Sequence, residues 1–444
     1  MYRDIIELIN EKKFGLLKER LMEIRPADIA ELIDELEKKD KIILFRLLPK
    51  DIAADVFSFL STSQRKDIVD AMHETQLNEI IDELYFDDKI DFLEEMPANF
   101  VKKILSSSTE EERKLINQFL SYPESSAGSI MTIEYVDLKK EMTVKEALQH
   151  IKETGVDKET IYICYVMDAK RKLEGIISLR KLVLYDENLL VGDIMEKDFI
   201  ATTTMDDQEA VADLFKKYDL LALPVVDKEG RLVGIITIDD IVDVIEQENT
   251  EDFQIMAGME PSEEEYIHSN VISLVKRRAP WLLILMLSAT ITERIIGVYD
   301  EVLQSITILA ASIPMLMDTG GNAGSQSSTL IIRGLALGEV DTRDYMKVVG
   351  KELRVSLLVG LFLGSVNLLR MLLFSSAGFM VSFVVSITLI STVIIAKVVG
   401  GVLPMVAKKL KLDPAIMAGP LITTIVDALT LFIYFNVASA LLNI

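Results

Sequence analysis

The chain has 444 residues, a formal net charge of −23 and a single cysteine, Cys164. Its length exceeds the roughly 250–300 residues at which a single hydrophobic core stops growing, so we expect several domains. The negative field excludes nucleic acid as a partner because it repels phosphates, and one cysteine excludes a disulfide framework.

Charge and hydropathy divide the chain near Asn270. From Asn270 onward 14 basic and 10 acidic residues are scattered among long apolar runs, which leaves 33 basic and 60 acidic residues before it. This division predicts an acidic soluble region joined to a membrane region embedded in the lipid bilayer. The polar amino terminus has no apolar signal-peptide segment, so we expect the first membrane helix to direct its own insertion.

Residues 1–126 are predicted to form an all-α superhelical domain. The segment Asp40–Pro49 is echoed by Asp88–Pro97, and short helices with proline at their starts carry apolar residues at helical spacing. Repeated short helices of this kind stack on one another to bury their apolar faces. By itself the pattern indicates a scaffold.

Two copies of one strand–helix–strand unit are predicted over 127–190 and 191–249. The matching segments are Val166–Asp168 with Leu173–Ser178, and Pro224–Asp227 with Leu232–Thr237. The paired Asp and Gly positions keep the same offset, which indicates an internal duplication with an α/β fold. Here the chain resembles a tandem CBS pair, and the resemblance implies ATP or another adenine nucleotide, or divalent ions, as ligands.

The second repeat carries a pattern that CBS repeats use to hold a nucleotide ribose. Thr237 and Asp240 form its Ser/Thr-x-x-Asp motif, whereas Lys181 replaces the Asp in the first repeat and Tyr165 stands at the position of Pro224. We therefore expect at most one nucleotide per chain. A helix N-cap is the alternative role of Thr237 and Asp240.

An acidic connecting helix is predicted over 250–275, within a run of acids from Asp239 to Glu265. Like charges one helical turn apart repel each other unless a cation bridges them. Asp87 and Asp91, one turn apart in the helical domain, are candidate partners across an interface. The candidate cation ligands are Asp87, Asp91, Asp240, Asp243, Glu248, Glu251 and Asp252. A solvated acidic face is the alternative.

The membrane region, 276–444, is predicted to span the bilayer five times, at 281–299, 302–332, 353–374, 379–404 and 415–441. Basic residues cluster at Lys276–Arg278, at Arg343–Lys351 and at Lys408–Lys411. With five spans all three clusters fall on one side, which is then cytosolic. The amino terminus is expected inside and the carboxyl terminus outside.

The second predicted span carries two stripes of unusual residues. Asp318, Asn322 and Gln326 recur every four residues and form a polar stripe on one helix face. Beside it lies a stripe of small residues, which lets another backbone approach closely: Gly320, Gly324 and Ser328. A helix-packing seam is the alternative to an ion path.

Asp427 lies about midway through the fifth predicted span, with Thr423 one turn before it. A charged side chain there costs about 2.5–3.5 kcal/mol even on the lenient insertion scale. Because intramembrane acids commonly line ion paths, Asp427 and Thr423 predict a cation site. A protonated or interhelically bonded Asp427 is the alternative. The membrane region contains no His or Cys, which argues against a soft metal.

These motifs and the order of the regions resemble the MgtE family of magnesium channels or transporters along the whole chain. The resemblance implies a homodimer in the inner membrane of the cell that imports Mg²⁺ through a pore on its two-fold axis. It implies that the second and fifth spans line the pore, and that Mg²⁺ bound to the cytosolic acids closes it. It also adds Asp55, Asp219 and Asp413 to the candidate Mg²⁺ ligands.

The sequence leaves other modes of transport open and argues against an enzyme. A carrier that exchanges Mg²⁺ for Na⁺ or H⁺ remains an alternative to a channel, as does transport of Co²⁺ or Mn²⁺. An enzyme is not expected, because a membrane metalloprotease requires a His-Glu-x-x-His site and the sequence has none.

Overall fold

The computed structural model describes residues 2–72, 74–262, 266–267, 269–299 and 307–442. The chain divides into two compact units, Met1–Glu246 and Gln247–Ile444. Glu263, Glu264 and Glu265 of the predicted acidic run, and residues 302–306 of the second predicted span, lie outside the described residues.

The first unit begins with ten short helices. Their bounds are α1 Tyr2–Asn10, α2 Phe14–Leu21, α3 Pro26–Glu35, α4 Lys38–Leu47, α5 Lys50–Ser58, α6 Thr62–Ala71, α7 Glu74–Glu83, α8 Phe86–Glu94, α9 Ala98–Ser107 and α10 Glu110–Phe119. Pro26 begins α3 at the position where its missing N–H costs nothing, and the Thr109 hydroxyl caps α10. Such breaks keep every helix to about three turns.

Alternate helices in this series pack together, α3 on α5, α5 on α7 and α4 on α6. Helices this short cannot bury an apolar face alone, so stacking of near neighbours supplies a continuous core. Phe45, Phe57 and Phe92 lie in that core with edge or tilted ring contacts. This arrangement confirms the predicted helical amino-terminal domain.

The same unit continues with two three-stranded sheets built to one plan. The elements are β1 Val136–Leu138, α11 Val144–Thr154, β2 Ile163–Met167, β3 Leu173–Ser178, α12 Leu179–Leu184, α13 Val191–Ile194, β4 Thr202–Thr203, α14 Gln208–Tyr218, β5 Ala222–Val226, β6 Leu232–Thr237 and α15 Ile238–Met256. In each sheet the first strand runs parallel to the second, and the second is antiparallel to the third.

The registers of the two sheets repeat as well. Val166 pairs with Gly175 in the first sheet, and Val225 pairs with Gly234 in the second. Each sheet also has a register shift one residue later on its middle strand. The equal offsets read from the sequence therefore correspond to equivalent positions in two copies of one fold, which confirms the predicted duplication.

Helix α15 runs without a break across residue 249, where the second repeat was expected to end. Residues 238–256 contain neither Gly nor Pro, so nothing in the sequence ends the helix before Gly258, whose φ is +71°. The predicted connector at 250–275 consequently holds the last turns of α15, a turn and the start of the next helix.

The second unit is helical. Its long helices are α16 Val271–Val298, α17 Thr307–Ala336, α18 Tyr345–Phe374, α19 Phe379–Lys409 and α20 Gly419–Leu442, with short 3₁₀ helices at Thr342–Asp344 and Pro414–Met417. Helix α19 lies centrally and contacts α17, α18 and α20, while α16 packs on α20. Many large apolar side chains on α16 and α18 are exposed, as expected for surfaces that face lipid.

Four segments of the described chain are long and apolar enough to cross a membrane: Val271–Val298, Thr342–Phe374, Phe379–Lys409 and Pro414–Leu442. They correspond to the first, third, fourth and fifth predicted spans. Helix α17, at 30 residues, is long enough but carries too many polar side chains to qualify on hydropathy. Its role as a fifth span stays a prediction.

Candidate metal and ion sites

Three carboxylates converge where the helical domain meets the tandem repeats in the first unit. Asp87, Glu134 and Glu159 each offer an oxygen, and these oxygens all lie within 4.8 Å of one another. Asp87 stands in the first turn of α8, whereas Glu134 and Glu159 come from irregular segments before β1 and after α11. Carboxylate oxygens at such separations are the ligands that Mg²⁺ and Ca²⁺ favour.

Backbone contacts hold this acidic cluster in place. The Phe86 N–H donates to Glu134 Oε2 at 3.3 Å, and the Glu159 N–H donates to the Glu134 carbonyl at 2.9 Å. Thr132 exchanges two backbone hydrogen bonds of 2.8 Å with Ile235 of β6, which ties the segment that carries Glu134 to the second sheet. The acids therefore meet because three separate parts of the fold are fixed to one another.

The cluster holds more negative charge than its surroundings stabilise. Asp87 Oδ1 and Glu159 Oε2 are buried and accept no hydrogen bond within the described part of the chain. Burial, followed by repulsion from Asp88, raises the pKa of Asp87 to about 7. Burial, followed by repulsion from Asp87, raises the pKa of Glu159 to about 8. A bound divalent cation would satisfy both oxygens and offset the repulsion.

Asp240 belongs to the same electrostatic group. Its pKa is raised to about 7, first by burial and then by the charge of Asp87. Its Oδ2 also accepts a hydrogen bond of 2.5 Å from the Thr237 hydroxyl at the start of α15. The Thr237 hydroxyl thus bonds a side chain, and its role as a helix N-cap stays a prediction. The charge of Asp87 on α8 acts on the same Asp240 carboxyl group.

The other acids predicted for the soluble region lie at varying distances from the cluster. Asp55 of α5 is near enough to help raise the pKa of Asp88, after burial and the larger charges around it. Asp91 and Asp243 lie one helical turn beyond Asp87 and Asp240, on exposed faces of α8 and α15. Asp219 ends α14 in a left-handed conformation, φ 51°, and is exposed, outside the cluster.

Glu134 and Glu159 were missed by the sequence interpretation. Neither lies on a helix, and no spacing in the sequence relates positions 87, 134 and 159. Their proximity depends on the contact between the helical domain and the repeats, so a fold was required to find them.

A second acidic group lies in the second unit, at the end of α15. Burial, then the charges of Asp413 and Glu248, raises the pKa of Asp252 to about 6. Asp413 accepts a hydrogen bond of 2.8 Å from the Ala415 N–H, which places it just before α20. Glu251, the neighbour of Asp252, lies on an exposed face of α15.

The end of α15 also contacts the first residue of α20 directly. A Cβ on Gly419, whose φ is +43°, would lie 2.5 Å from the Met256 carbonyl oxygen. Only glycine fits both this conformation and this approach. The last turn of α15 and the start of α20 are therefore packed together without room for a larger side chain at residue 419.

Helix α20 carries Asp427 and Thr423 against α17. Asp318 of α17 lies close enough to Asp427 for the two carboxylates to interact. The Thr423 hydroxyl donates to the Pro420 carbonyl at 2.8 Å, and its methyl carbon would lie 2.9 Å from a Cβ on Gly321. The small residues of α17 thus bring the two helices together at the level of the acids.

The two stripes of α17 face different surroundings. The small residues Gly320, Gly324 and Ser328 are buried against α19 and α20, whereas Asp318, Asn322 and Gln326 are exposed on the single chain. Gln326 Oε1 accepts a hydrogen bond of 3.3 Å from Lys397 of α19, a residue that the sequence interpretation did not consider. The predicted polar stripe therefore exists, and its third member has a partner within the chain.

Comparison with known proteins relates the whole chain to one family. Family models match in order: the MgtE intracellular N domain over 24–125, the CBS domain over 127–188 and 191–247, and MgtE, described as a divalent cation transporter, over 313–437. The magnesium transporter MgtE of Thermus thermophilus is 39% identical, over 98% of this chain and 97% of its own. That of Bacillus subtilis is 32% identical, over 99% and 97%.

A solved structure matches the first part of the chain. The cytosolic domain of the Mg²⁺ channel MgtE in complex with ATP is 37% identical and aligns with a TM-score of 0.53. The match covers 55% of this chain and all of that structure.

Proposed function

The chain belongs to the MgtE family of divalent cation transporters, and from that premise we propose that it is a Mg²⁺ channel closed by Mg²⁺ itself. The observation that carries the proposal is the juxtaposition of Asp318 and Asp427 within the apolar helical unit. Two acids at that depth are costly without a cation, so an ion path accounts for them.

The pore is proposed to form between two copies of the chain. Lipid cannot satisfy the exposed polar stripe of Asp318, Asn322 and Gln326, whereas a second copy or a water-filled path can. In a homodimer two Asp427 carboxylates supply two negative charges, which balance one divalent cation. Because Mg²⁺ keeps its waters in a tight octahedron, Thr423 and Asn322 would contact the hydrated ion.

The orientation follows from the distribution of basic residues. With α17 as a fifth span, the Lys and Arg clusters in the first turns of α16, between α17 and the first turns of α18, and at the end of α19 all lie on the cytosolic side. The amino terminus then lies inside the cell and the carboxyl terminus outside. In this orientation the soluble unit faces the cytosol and senses the ion that the inner-membrane pore imports.

Closure is proposed to begin at the acidic cluster. Mg²⁺ bound by Asp87, Glu134, Glu159 and Asp240 would favour the compact arrangement in which these acids meet, because it removes their mutual repulsion. A ligand shifts such an equilibrium only through its higher affinity for one state. Further ligands are proposed among the exposed acids Asp55, Asp91, Asp219 and Asp243.

The signal is proposed to reach the pore through α15. A second ion at Glu248, Glu251, Asp252 and Asp413 would hold the last turn of α15 against the start of α20. Because α20 carries Asp427, pressure at Gly419 acts on the pore helix itself. When Mg²⁺ falls, repulsion between these acids would release the contact and the pore would open.

An adenine nucleotide is proposed as a second ligand of the repeats. A relative's cytosolic domain was solved in complex with ATP, and this chain keeps Thr237 and Asp240 in its second repeat. The first repeat has Lys181 instead, bonded to Glu196 at 3.3 Å. One nucleotide per chain is therefore expected.

Mg²⁺ flux into liposomes tests the proposal. The purified wild type should admit Mg²⁺, and Asp427→Asn, which removes the charge but keeps the shape, should abolish high-affinity passage. Asp344→Asn is the matched control, since it neutralises an acid ion-paired with Lys347 outside the long helices. Wild-type flux in Asp427→Asn would contradict the pore assignment. Flux that stops when Na⁺ and H⁺ gradients are dissipated would favour the coupled carrier.

A further inference from the structure

Lys397 is a buried cation in the middle of α19, a long apolar helix. Its side chain is 6% exposed, and its Nζ donates to Gln326 Oε1 at 3.3 Å. Within the described ranges it forms no ion pair with an acid. A lysine at this depth is costly, so its position is unexplained by packing alone.

Glu352, a buried acid of the same helical unit, forms a hydrogen bond with another residue of α17. Glu352 of α18 accepts a hydrogen bond of 2.7 Å from the Ser327 hydroxyl. It lies beside Gly401, one helical turn after Lys397, because a Cβ on Gly401 would lie 3.2 Å from Glu352 Cγ. Glu352 on α18 and Lys397 on α19 thus carry opposite charges. Each bonds a residue of α17, Glu352 to Ser327 and Lys397 to the adjacent Gln326.

The bond to Lys397 fixes the orientation of the Gln326 amide. An ammonium group only donates, so the Gln326 oxygen must point toward α19, and its NH₂ group is left for the polar stripe. The stripe then presents oxygen ligands to a cation at Asp318, a carboxylate, and at Asn322, an amide. At Gln326 it presents a hydrogen-bond donor, which a cation cannot use. Eight residues of helix separate Asp318 from Gln326, a distance of about 12 Å.

We propose that Lys397 is a specificity-determining residue of the pore that acts through Gln326 and through its own charge. It prevents a cation from settling at the Gln326 level and so confines tight binding to the Asp318–Asp427 level. Its fixed positive charge also repels an ion bound at the Asp318–Asp427 level and so weakens binding there. The inference rests on the proposed function, because it assumes that the stripe lines the ion path.

Mg²⁺ flux as a function of Mg²⁺ concentration separates this role from packing. In Lys397→Met the charge is lost and the Gln326 oxygen is freed. The half-saturating Mg²⁺ concentration should fall about threefold to tenfold, the effect of one charge on a divalent ion over about 12 Å of partly aqueous path. Lys397→Arg keeps the charge and should retain the wild-type profile.

Ser386→Ala is the matched control for loosened packing. It removes the acceptor of another buried interhelical bond, 3.0 Å from Asn367 of α18 to Ser386 of α19, which lies away from the stripe. Its half-saturating concentration should equal that of the wild type. If Lys397→Met also leaves that concentration unchanged, Lys397 only joins helices and the inference is wrong.

A pair of variants controls for misfolding. The double variant Gln326→Met with Lys397→Met leaves neither partner of this bond unpaired and so avoids the main cost of breaking a buried bond, and Gln326→Met alone is its reference. The half-saturating Mg²⁺ concentration of the double variant should be lower than that of Gln326→Met. Equal half-saturating concentrations in these two variants would overturn the inference. Absence of Mg²⁺ flux in the wild type would overturn the proposed function and this inference together. A flux that is present but indifferent to Lys397 would overturn the inference alone.

Discussion

Neutralising Asp87 should stabilise α8 in the absence of divalent cations and should weaken its response to them. The pKa of Asp87 stands at about 7 against an ordinary value of 3.8, mainly through burial. That difference corresponds to about 4 kcal/mol of unfavourable free energy for the ionised carboxylate. Asp87→Asn removes this term and loses about 1 kcal/mol of favourable interaction with the start of α8. The net gain is about 3 kcal/mol.

Hydrogen exchange of the full chain, followed in peptides from Phe86–Glu94, measures the effect locally. At a pH of about 9, with a chelator, exchange in Asp87→Asn should be slower than in the wild type by about a hundredfold. Mg²⁺ at about a hundred times its dissociation constant should slow wild-type exchange by a similar factor, since it contributes about 2.7 kcal/mol. The variant should respond much less.

The matched control is Asp28→Asn, which removes an exposed acid from the first turn of α3. Asp28 occupies the same kind of position as Asp87, in the first turn of a helix, but its side chain is exposed. Hydrogen exchange in α8 should therefore be the same in Asp28→Asn as in the wild type. Equal Mg²⁺ protection in Asp87→Asn and the wild type would refute the assignment of Asp87 as a ligand. If hydrogen exchange of α8 in the presence of the chelator is the same in Asp87→Asn and in the wild type, the ionised Asp87 carboxylate does not destabilise α8.

Three further outcomes follow from the same contacts. Because burial raises the pKa of Asp87 to about 7 and of Glu159 to about 8, the ion-free protein should be most stable below pH about 4 with respect to these groups. That contribution to the free energy of unfolding should be lost as pH rises through about 7 to 8. Thermal unfolding with a chelator present measures the loss, and a stability that rises over this interval would contradict the raised pKa values of Asp87 and Glu159. Thr237→Ala should abolish adenine nucleotide binding in calorimetry and cost about 1 kcal/mol through loss of the hydrogen bond to Asp240; unchanged nucleotide affinity would exclude the site. Gly419→Ala cannot keep the approach to the Met256 carbonyl, so flux assays should find it open at Mg²⁺ concentrations that close the wild type; normal closure would show that this contact does not transmit the signal.

The fold was largely predictable because its signals are local. Helix breaks at Pro26 and Pro49, and the repeated offset of Asp and Gly in the two repeats, specify elements within a few residues of themselves. The boundary at residue 249 was predicted from charge, whereas the helix α15 continues across it because nothing in residues 238–256 ends a helix.

The candidate sites were predictable only where their residues share a helix. Asp318 and Asn322, or Asp87 and Asp91, are related by helical spacing and were found from it. Glu134 and Glu159 lie on irregular segments and reach Asp87 through tertiary contacts alone. Lys397 was overlooked because one charge barely lowers the hydropathy of a long apolar helix, and its bond to Gln326 joins residues 71 positions apart.

Single-channel recording of the purified chain in a planar bilayer tests the central claim most directly. With Mg²⁺ as the only permeant cation, the wild type should show unitary currents that disappear when Mg²⁺ is raised on the side of the soluble unit. A variant neutralised at Asp240, Asp243, Glu248 and Glu251 should keep conducting under that condition. If the wild type gives no unitary Mg²⁺ current, the chain is not a channel. If the neutralised variant closes as the wild type does, the acids are a solvated surface and the proposed gating is wrong.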